Sequence, residues 1–247
     1  MSNTTRFTGK AAAYDRSRPA YPDDALACVL RACNLHAGDA VADIGAGTGK
    51  FTRQLLAQDL HVFAVEPNAD MRTAACDNLG NDTLFHAVGA PAEATTLPDH
   101  SVKAITAAQA FHWFDHEQCK AEFARILVPD GKVALLWNTR DHASPLNRAH
   151  EALMEKYRVR YAVHKHDFAH IYDTFFAHWQ EYPFHWAQPL DEEGFVALTL
   201  SRSYAPSPED AGYRPLMDGI HKLFAQYQQD GTVSIEYITR VVIGNMQ

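Results

Sequence analysis

No stretch of the chain stays apolar over the roughly 18 residues that a membrane-spanning helix requires, so a bilayer span is not expected. The opening residues, MSNTTRFTGK, hold no apolar segment of the kind that marks a secretion signal, and the expected location is cytoplasmic. Basic residues are in deficit. Lysine and arginine number 22 against 30 aspartates and glutamates, a formal charge of −8, and no basic run interrupts the pattern. A nucleic-acid or anionic-membrane partner needs a clustered positive surface, so neither is expected. Cysteine is scarce as well: Cys28, Cys33, Cys76 and Cys119 make no CxxC pair and no zinc spacing, which points to reduced thiols. Internal repeats and low-complexity tracts are absent.

What is present suffices for a full-sized core: 247 residues, 47% of them hydrophobic, with one domain over 1–247 as the expectation. Strand and helix patterns alternate along the first half. DAVADIGA (39–46) is an apolar run ending in glycine, and KFTRQLLAQ places Phe51, Leu55 and Leu56 on one helical face. HVFAVEP (61–67) reads as a second buried strand, NADMRTAACDNL as a helix capped by Asn68, TLFHAVGA (83–90) as a third strand and SVKAITAAQA (101–110) as a fourth. HEQCKAEFARIL gathers Cys119, Phe123, Ile126 and Leu127 on one face; VPDG then turns the chain into KVALLWN, a fifth strand. Five strand–helix repeats predict a parallel, doubly wound α/β sheet.

Both ends break that rhythm. Within residues 1–36, AAAYDRSRPAYPDDALACVLRA leads two tyrosines and two prolines into a helix that Asp23 or Asp24 would cap, the pattern of a lid across the mouth of the sheet. Residues 37–140 are the core just described, and 141–247 turn aromatic and rich in histidine. There EYPFHWAQPL and TVSIEYITRVVIG read as strands around one or two helices, which brings the expected total to seven. A last strand joined to its predecessor by a short turn would run antiparallel and make the sheet mixed.

VADIGAGTGKFT (41–52) sets Gly45, Gly47 and Gly49 into five positions directly after the first strand. Such a turn lets a ligand approach bare backbone, and a helix start ordinarily favours an anion. A phosphate loop is excluded, because the residue five before Gly49 is Ile44 and Lys50 is followed by Phe51. The dinucleotide spacing GxGxxG is not met either, and Asp43 stands just ahead of the turn. A carboxylate fits a cationic ligand better, and S-adenosylmethionine carries a sulfonium and an α-ammonium group. Glu66 ends the second strand about 20 residues past the first glycine, where a carboxylate can take both hydroxyls of a ribose. Ala92 and Glu93 follow the third strand, where an adenine edge fits, and Gln109 and Ala110 end the fourth, beside the methionine part.

Taken in order over residues 39–138, DIGAGTGKFT, AVEPNADM, GAPAEATTLPDHSVKAITAAQAFHWFD and ARILVPDGKVALLWN resemble the successive motifs of class I S-adenosylmethionine-dependent methyltransferases. YDRSRPAYP is similar to the small-molecule branch that includes trans-aconitate methyltransferase. The resemblance implies a Rossmann-like, doubly wound, seven-stranded mixed sheet with an antiparallel last strand, an N-terminal helical lid and a C-terminal helical and aromatic elaboration. It also implies a cofactor site built from Asp43, Gly45, Ala46, Gly47, Glu66, Asn68, Met71, Ala92, Glu93, Gln109 and Ala110, with Tyr14 and Arg18 over the top. The implied partner is a small-molecule acceptor, and no metal is implied.

Methyl transfer of this type is an in-line displacement in which positioning can lower a barrier by ~7–11 kcal/mol, so no catalytic triad is expected. FHWFD (111–115) is expected to line the acceptor pocket, Trp113 as a wall and His112 as a wall or base; local packing at a helix start is the competing reading. A carboxylate acceptor would want a bidentate guanidinium, for which Arg18, Arg140 and Arg202 are candidates, Arg202 with Tyr204 beside it in TLSRSYAPSP. The competing reading for each is a solvated surface arginine. HKHDFAH sets His166 and His170 one turn apart with His164, Asp167 and Asp173 nearby, but without strand or cysteine context the expectation is no metal. FFAHWQEYPFHW reads as core and suggests a largely apolar substrate cavity. Two alternatives stand beside the transferase: an NAD-dependent reductase, for which a TyrxxxLys pair after strand five is missing, and a non-catalytic protein that binds adenosylmethionine. No feature bears on oligomeric state.

Overall fold

The computed structural model describes residues 19–159, 168–202 and 204–246. Tyr14, Arg18, and the His164, His166 and Asp167 of the histidine run lie outside them. Seven strands form one sheet: β1 (Ala40–Ile44), β2 (His61–Val65), β3 (Phe85–Val88), β4 (Val102–Ala108), β5 (Leu127–Arg140), β6 (Phe176–Leu190) and β7 (Val233–Met246). Their order is β3-β2-β1-β4-β5-β7-β6. β1 to β5 pair in parallel, whereas β7 runs against both of its neighbours, β5 and β6. The mixed sheet with an antiparallel last strand is thus the one expected from the sequence.

Among the described residues eight α-helices accompany the strands: α1 (Asp23–Ala32), α2 (Lys50–Leu56), α3 (Ala69–Leu79), α4 (His116–Ile126), α5 (Pro145–Tyr157), α6 (Phe168–Phe175), α7 (Glu192–Leu200) and α8 (Tyr213–Tyr227). Asn68 caps α3 as its side chain predicts, accepting from the Met71 N–H at 3.0 Å. Asp115 does the same for α4 through Gln118.

Four local expectations need correction. Neither Asp23 nor Asp24 caps α1: Pro22 stands at that position, its carbonyl accepts from Ala25 and Leu26, and the two aspartates occupy the first turn. The helix repeat fails between β3 and β4, where residues 89–101 cross with no helix, Pro91 and Pro98 interrupting the backbone donors. That segment is instead tied to α4, because Thr95 donates through both its N–H and its hydroxyl to Glu122 Oε1. VPDG falls inside the span of β5 as a bulge, with the pairing to β4 jumping from Leu127 to Lys132. β7 is not reached by a short turn: residues 191–232, with α7 and α8, intervene, and β7 inserts between β5 and β6.

Alternation along the strands sends neighbouring residues to opposite faces of the sheet. Ala42, Ile44, Ile105 and Leu135 face one side, where Phe111, Phe123, Ile126 and Phe175 cover them. Val41, Val62, Ala104 and Leu136 face the other, under Leu26 and Val29 of α1 and Phe51 and Leu55 of α2. Each such fully buried Phe or Leu contributes about 1.5–3 kcal/mol, so the sheet is fixed from both sides. β6 and β7 run past the end of β5, Val233 to Glu236 pairing with β6 alone. That two-stranded extension carries its own core, in which Val233, Ile235 and Tyr237 meet Leu146, Phe195, Leu216 and Ile220 of α5, α7 and α8.

Candidate functional site

The glycine turn divides its glycines between two roles. Gly45, Gly47 and Gly49 all lie at positive φ (69°, 59° and 81°), where a side chain is strained. A Cβ on Gly45 would stand 2.5 Å from Ala110 Cβ, and one on Gly49 2.5 Å from Leu79 Cδ1. Those two glycines serve packing. A Cβ on Gly47 would meet nothing within 4 Å, and its N–H donates to Glu66 Oε2 at 3.0 Å. Gly47 therefore borders open space beside a carboxylate.

Glu66 follows β2, its second oxygen accepting from the Asn68 N–H at 2.8 Å. Burial raises its pKa above the ordinary value, against the lowering effect of those two backbone donors. Each oxygen keeps a further lone pair for a ligand hydroxyl. Asp43, near the end of β1, is 1% exposed and accepts from Thr52 Oγ1 at 2.6 Å and Thr106 Oγ1 at 2.9 Å. Desolvation pushes its pKa up to about 6, the threonine hydroxyls pull the other way, and the Glu66 charge adds to the rise. The two threonines were not among the residues expected from sequence; only the register of β1 on β4, which pairs Asp43 with Thr106, brings the second one there.

A cavity of about 300 Å³ opens beside Gly45 and Gly47 at the strand ends. Glu66, Asn68, Met71, Ala92, Glu93, Gln109 and Ala110 line it, so the structure brings these expected cofactor residues together around one space. Trp113 and Phe114 line it as well. Trp113, expected over the acceptor, lines this cavity from the 3₁₀ turn Phe111–Trp113. His112, the candidate base, is not among the residues lining either cavity, and its ring sits 4.4 Å from that of Trp113 and 5.3 Å from that of Trp137.

A second cavity of about 280 Å³ adjoins the first, and both are walled by Gly45, Gly47, Ala108 and Gln109. Gln109 takes a positive φ of 59°, a strained choice for a non-glycine residue, and its side chain donates to the Asn138 carbonyl at 2.9 Å. Asp43 and Ala46 open on this second space, together with Arg140, Glu151, Arg202 and Tyr237. Tyr204 is not a lining residue but accepts from Arg202 Nη1 at 2.6 Å. No residue of the 175–186 aromatic stretch lines it, and its walls carry two guanidinium groups. Those aromatics serve packing instead: Phe175 lies 5.8 Å from Phe123, and Trp186 stacks on Tyr237 at 5.0 Å.

Arg140 is 9% exposed, not the solvated arginine of the competing reading. Burial first, then the charge of Arg202, lowers its pKa to about 10. His150 and Thr199 stand behind it in contacts that sequence reasoning missed, because they bring together residues from β5, α5 and α7.

Known methyltransferases resemble this chain in sequence and in fold. Residues 42–135 match the family described as a methyltransferase domain. An uncharacterized methyltransferase of Mycobacterium tuberculosis is 30% identical over 240 residues, covering 94% of this chain and 92% of that protein. An uncharacterized methyltransferase of Schizosaccharomyces pombe is 33% identical over 153 residues, 62% of this chain and 60% of its own length. Among solved structures, a proposed type II methyltransferase from Anaeromyxobacter dehalogenans superposes with a TM-score of 0.69 at 20% identity, over 93% of this chain and 98% of that one. Phosphoethanolamine N-methyltransferase 2 of Haemonchus contortus, solved with phosphomonomethylethanolamine and S-adenosylhomocysteine, gives 0.57 at 16% identity, over 98% of this chain and 58% of that one. At such identities the structural matches speak for the fold.

Proposed function

The chain belongs to the class I S-adenosylmethionine-dependent methyltransferases, and from that premise we propose that it methylates a small-molecule acceptor bearing a carboxylate. The observation that carries this reading is the pair of adjoining cavities: one holds Glu66 beside the open face of Gly47, and the other holds Arg140 with two buried nitrogens that have no partner among the described residues. The first cavity fits the cofactor. Glu66 has lone pairs left for ribose hydroxyls, the segment around Ala92 and Glu93 offers a wall for adenine, and Asp43, which borders the adjoining space, supplies negative charge for a cationic head group reaching there. When bound, S-adenosylmethionine supplies a methyl carbon on a sulfonium to a nucleophile on the acceptor.

The residues of this chain then have positioning to do. Gln109, held by Asn138, sits in the wall common to the two cavities and fixes the distance between their occupants. Trp113 and Phe114 cover the first cavity with apolar surface, which excludes water from the reacting centre. Arg140 and Arg202 take the carboxylate. A carboxylic acid of ordinary pKa is already ionised at neutral pH, so such an acceptor needs no base, consistent with His112 being packed between two tryptophans.

The test is turnover with methyl-labelled S-adenosylmethionine and a panel of carboxylic acids, phenols and amines. Labelled, base-labile methyl ester with one or more of the acids is the expected result. Product confined to amines or phenols would overturn the acceptor class, and no product with any acceptor would favour a protein that only binds the cofactor.

A further inference from the structure

The hydrogen bonds behind Arg140 run in one direction. Arg140 Nη1 lies 2.6 Å from His150 Nδ1, and a guanidinium only donates, so Nδ1 is the acceptor and the imidazole is neutral. The ring proton therefore sits on Nε2, which donates to Thr199 Oγ1 at 2.8 Å. Thr199 in turn donates to the Phe195 carbonyl at 2.7 Å. Each group's role is fixed by the next, and the last partner is helix backbone that cannot turn. Burial, reinforced by the charges of Arg140 and Arg202, holds the His150 pKa down at about 2, so the neutral ring persists throughout the working range of pH.

This chain of bonds occupies one end of the guanidinium only. Nε and Nη2, which form its side-on edge, are buried and have no partner among the described residues, and neither does the Nε of Arg202. Among the described residues no carboxylate lies within ion-pair distance of either arginine. Two buried donors on one rigid edge match the two oxygens of an oxyanion.

We infer that His150 is a positioning residue for acceptor recognition: it fixes the rotation of the Arg140 guanidinium so that the Nε and Nη2 edge is kept for an oxyanion, a carboxylate or a phosphate, on the acceptor. The inference rests on the second cavity being the acceptor site. The competing role is that of a core histidine, since the His150 ring also packs on Phe195 at 5.1 Å. Two substitutions separate the roles. His150→Phe keeps a ring against Phe195 and removes both hydrogen bonds; His150→Gln gives up the ring but keeps an acceptor and a donor.

Native protein and both variants, saturated with S-adenosylhomocysteine, are titrated calorimetrically with acetate, succinate and inorganic phosphate. His150→Phe is expected to weaken oxyanion binding about tenfold or more, the loss of a bond to a charged group. His150→Gln is expected to restore most of it, and S-adenosylhomocysteine affinity is expected to stay constant. Whichever of the carboxylates and phosphate binds more tightly identifies the oxyanion. Equal losses in both variants, or no loss in His150→Phe, would overturn the inference. Should His150→Phe not fold, Thr199→Val carries the test, since it removes the partner that holds the ring tautomer, and unchanged oxyanion affinity there would overturn it as well. Native protein that binds S-adenosylhomocysteine but no oxyanion refutes this inference and leaves the transferase reading intact. Failure to bind S-adenosylhomocysteine at all refutes both.

Discussion

Under the proposed reading single carboxylates carry the cofactor half of the site, and their surroundings give distinct expectations. Glu66 already accepts two backbone donors, so its alanine variant loses ligand bonds and also frees the Gly47 and Asn68 N–H groups. Glu66→Ala is expected to weaken S-adenosylhomocysteine binding by about 1.5–3 kcal/mol, the range for hydrogen bonds to a charged group, as read by calorimetric titration. Asp43 gives a pH dependence. Its folded pKa of about 6 lies above the unfolded value near 3.9, so the folded state holds its proton more tightly. That stabilisation is fully present below about pH 4 and is lost as pH rises through 6, a decline of up to about 3 kcal/mol from this group. Without cofactor, Asp43→Asn is expected to flatten the fall in urea midpoint between pH 5 and 7.5 relative to native protein; parallel profiles would show that Asp43 is not ionising under strain. Asp43 was legible from its place before the glycines. Its threonine partners were not, because one lies 63 residues away and arrives through strand register.

At the level of elements, β1 to β5 were legible because each is a short apolar run between turn residues, while connections obeyed contacts that no local pattern records. The crossing from β3 to β4 lacks a helix, and its order comes from Glu122, which reaches back from α4 to Thr95 and is gripped by Arg125 at 2.8 Å. Glu122→Ala would strand the Thr95 donors in a buried setting. A loss of roughly 1–3 kcal/mol is expected in urea unfolding, with weaker cofactor binding, because the same segment carries Ala92 and Glu93. In the glycine turn, Gly47→Val places a branched side chain at positive φ into the space that the cofactor needs. Cofactor binding is expected to vanish, whereas the protein, meeting no clash at that Cβ, is expected to stay folded by circular dichroism. Retained binding would show that the turn faces something else.

Across the whole molecule, the two halves of the site differ in how they are encoded. The first cavity is lined by residues at or just after the tips of successive strands, so a motif read in order along the chain recovers it. The second cavity draws Arg140 from β5, Glu151 from α5, Arg202 from beyond α7 and Tyr237 from β7. These meet only because β6 and β7 extend beyond the sheet and carry α5, α7 and α8 on a separate core. Arg140 and Arg202 could be named as candidates from chemistry alone; that one would be buried, aimed by a histidine, and unpaired with any acid among the described residues could not. The aromatic residues of 175–186 line neither cavity, since those rings are spent on packing.

The central claim is that the acids at the strand ends of this sheet receive a cationic nucleoside and not a pyrophosphate. Calorimetric titration of the native protein with S-adenosylhomocysteine and, separately, with NAD tests it most directly. The account predicts saturable binding of S-adenosylhomocysteine, lost in Gly47→Val, and no heat from NAD; binding of NAD without S-adenosylhomocysteine would contradict it.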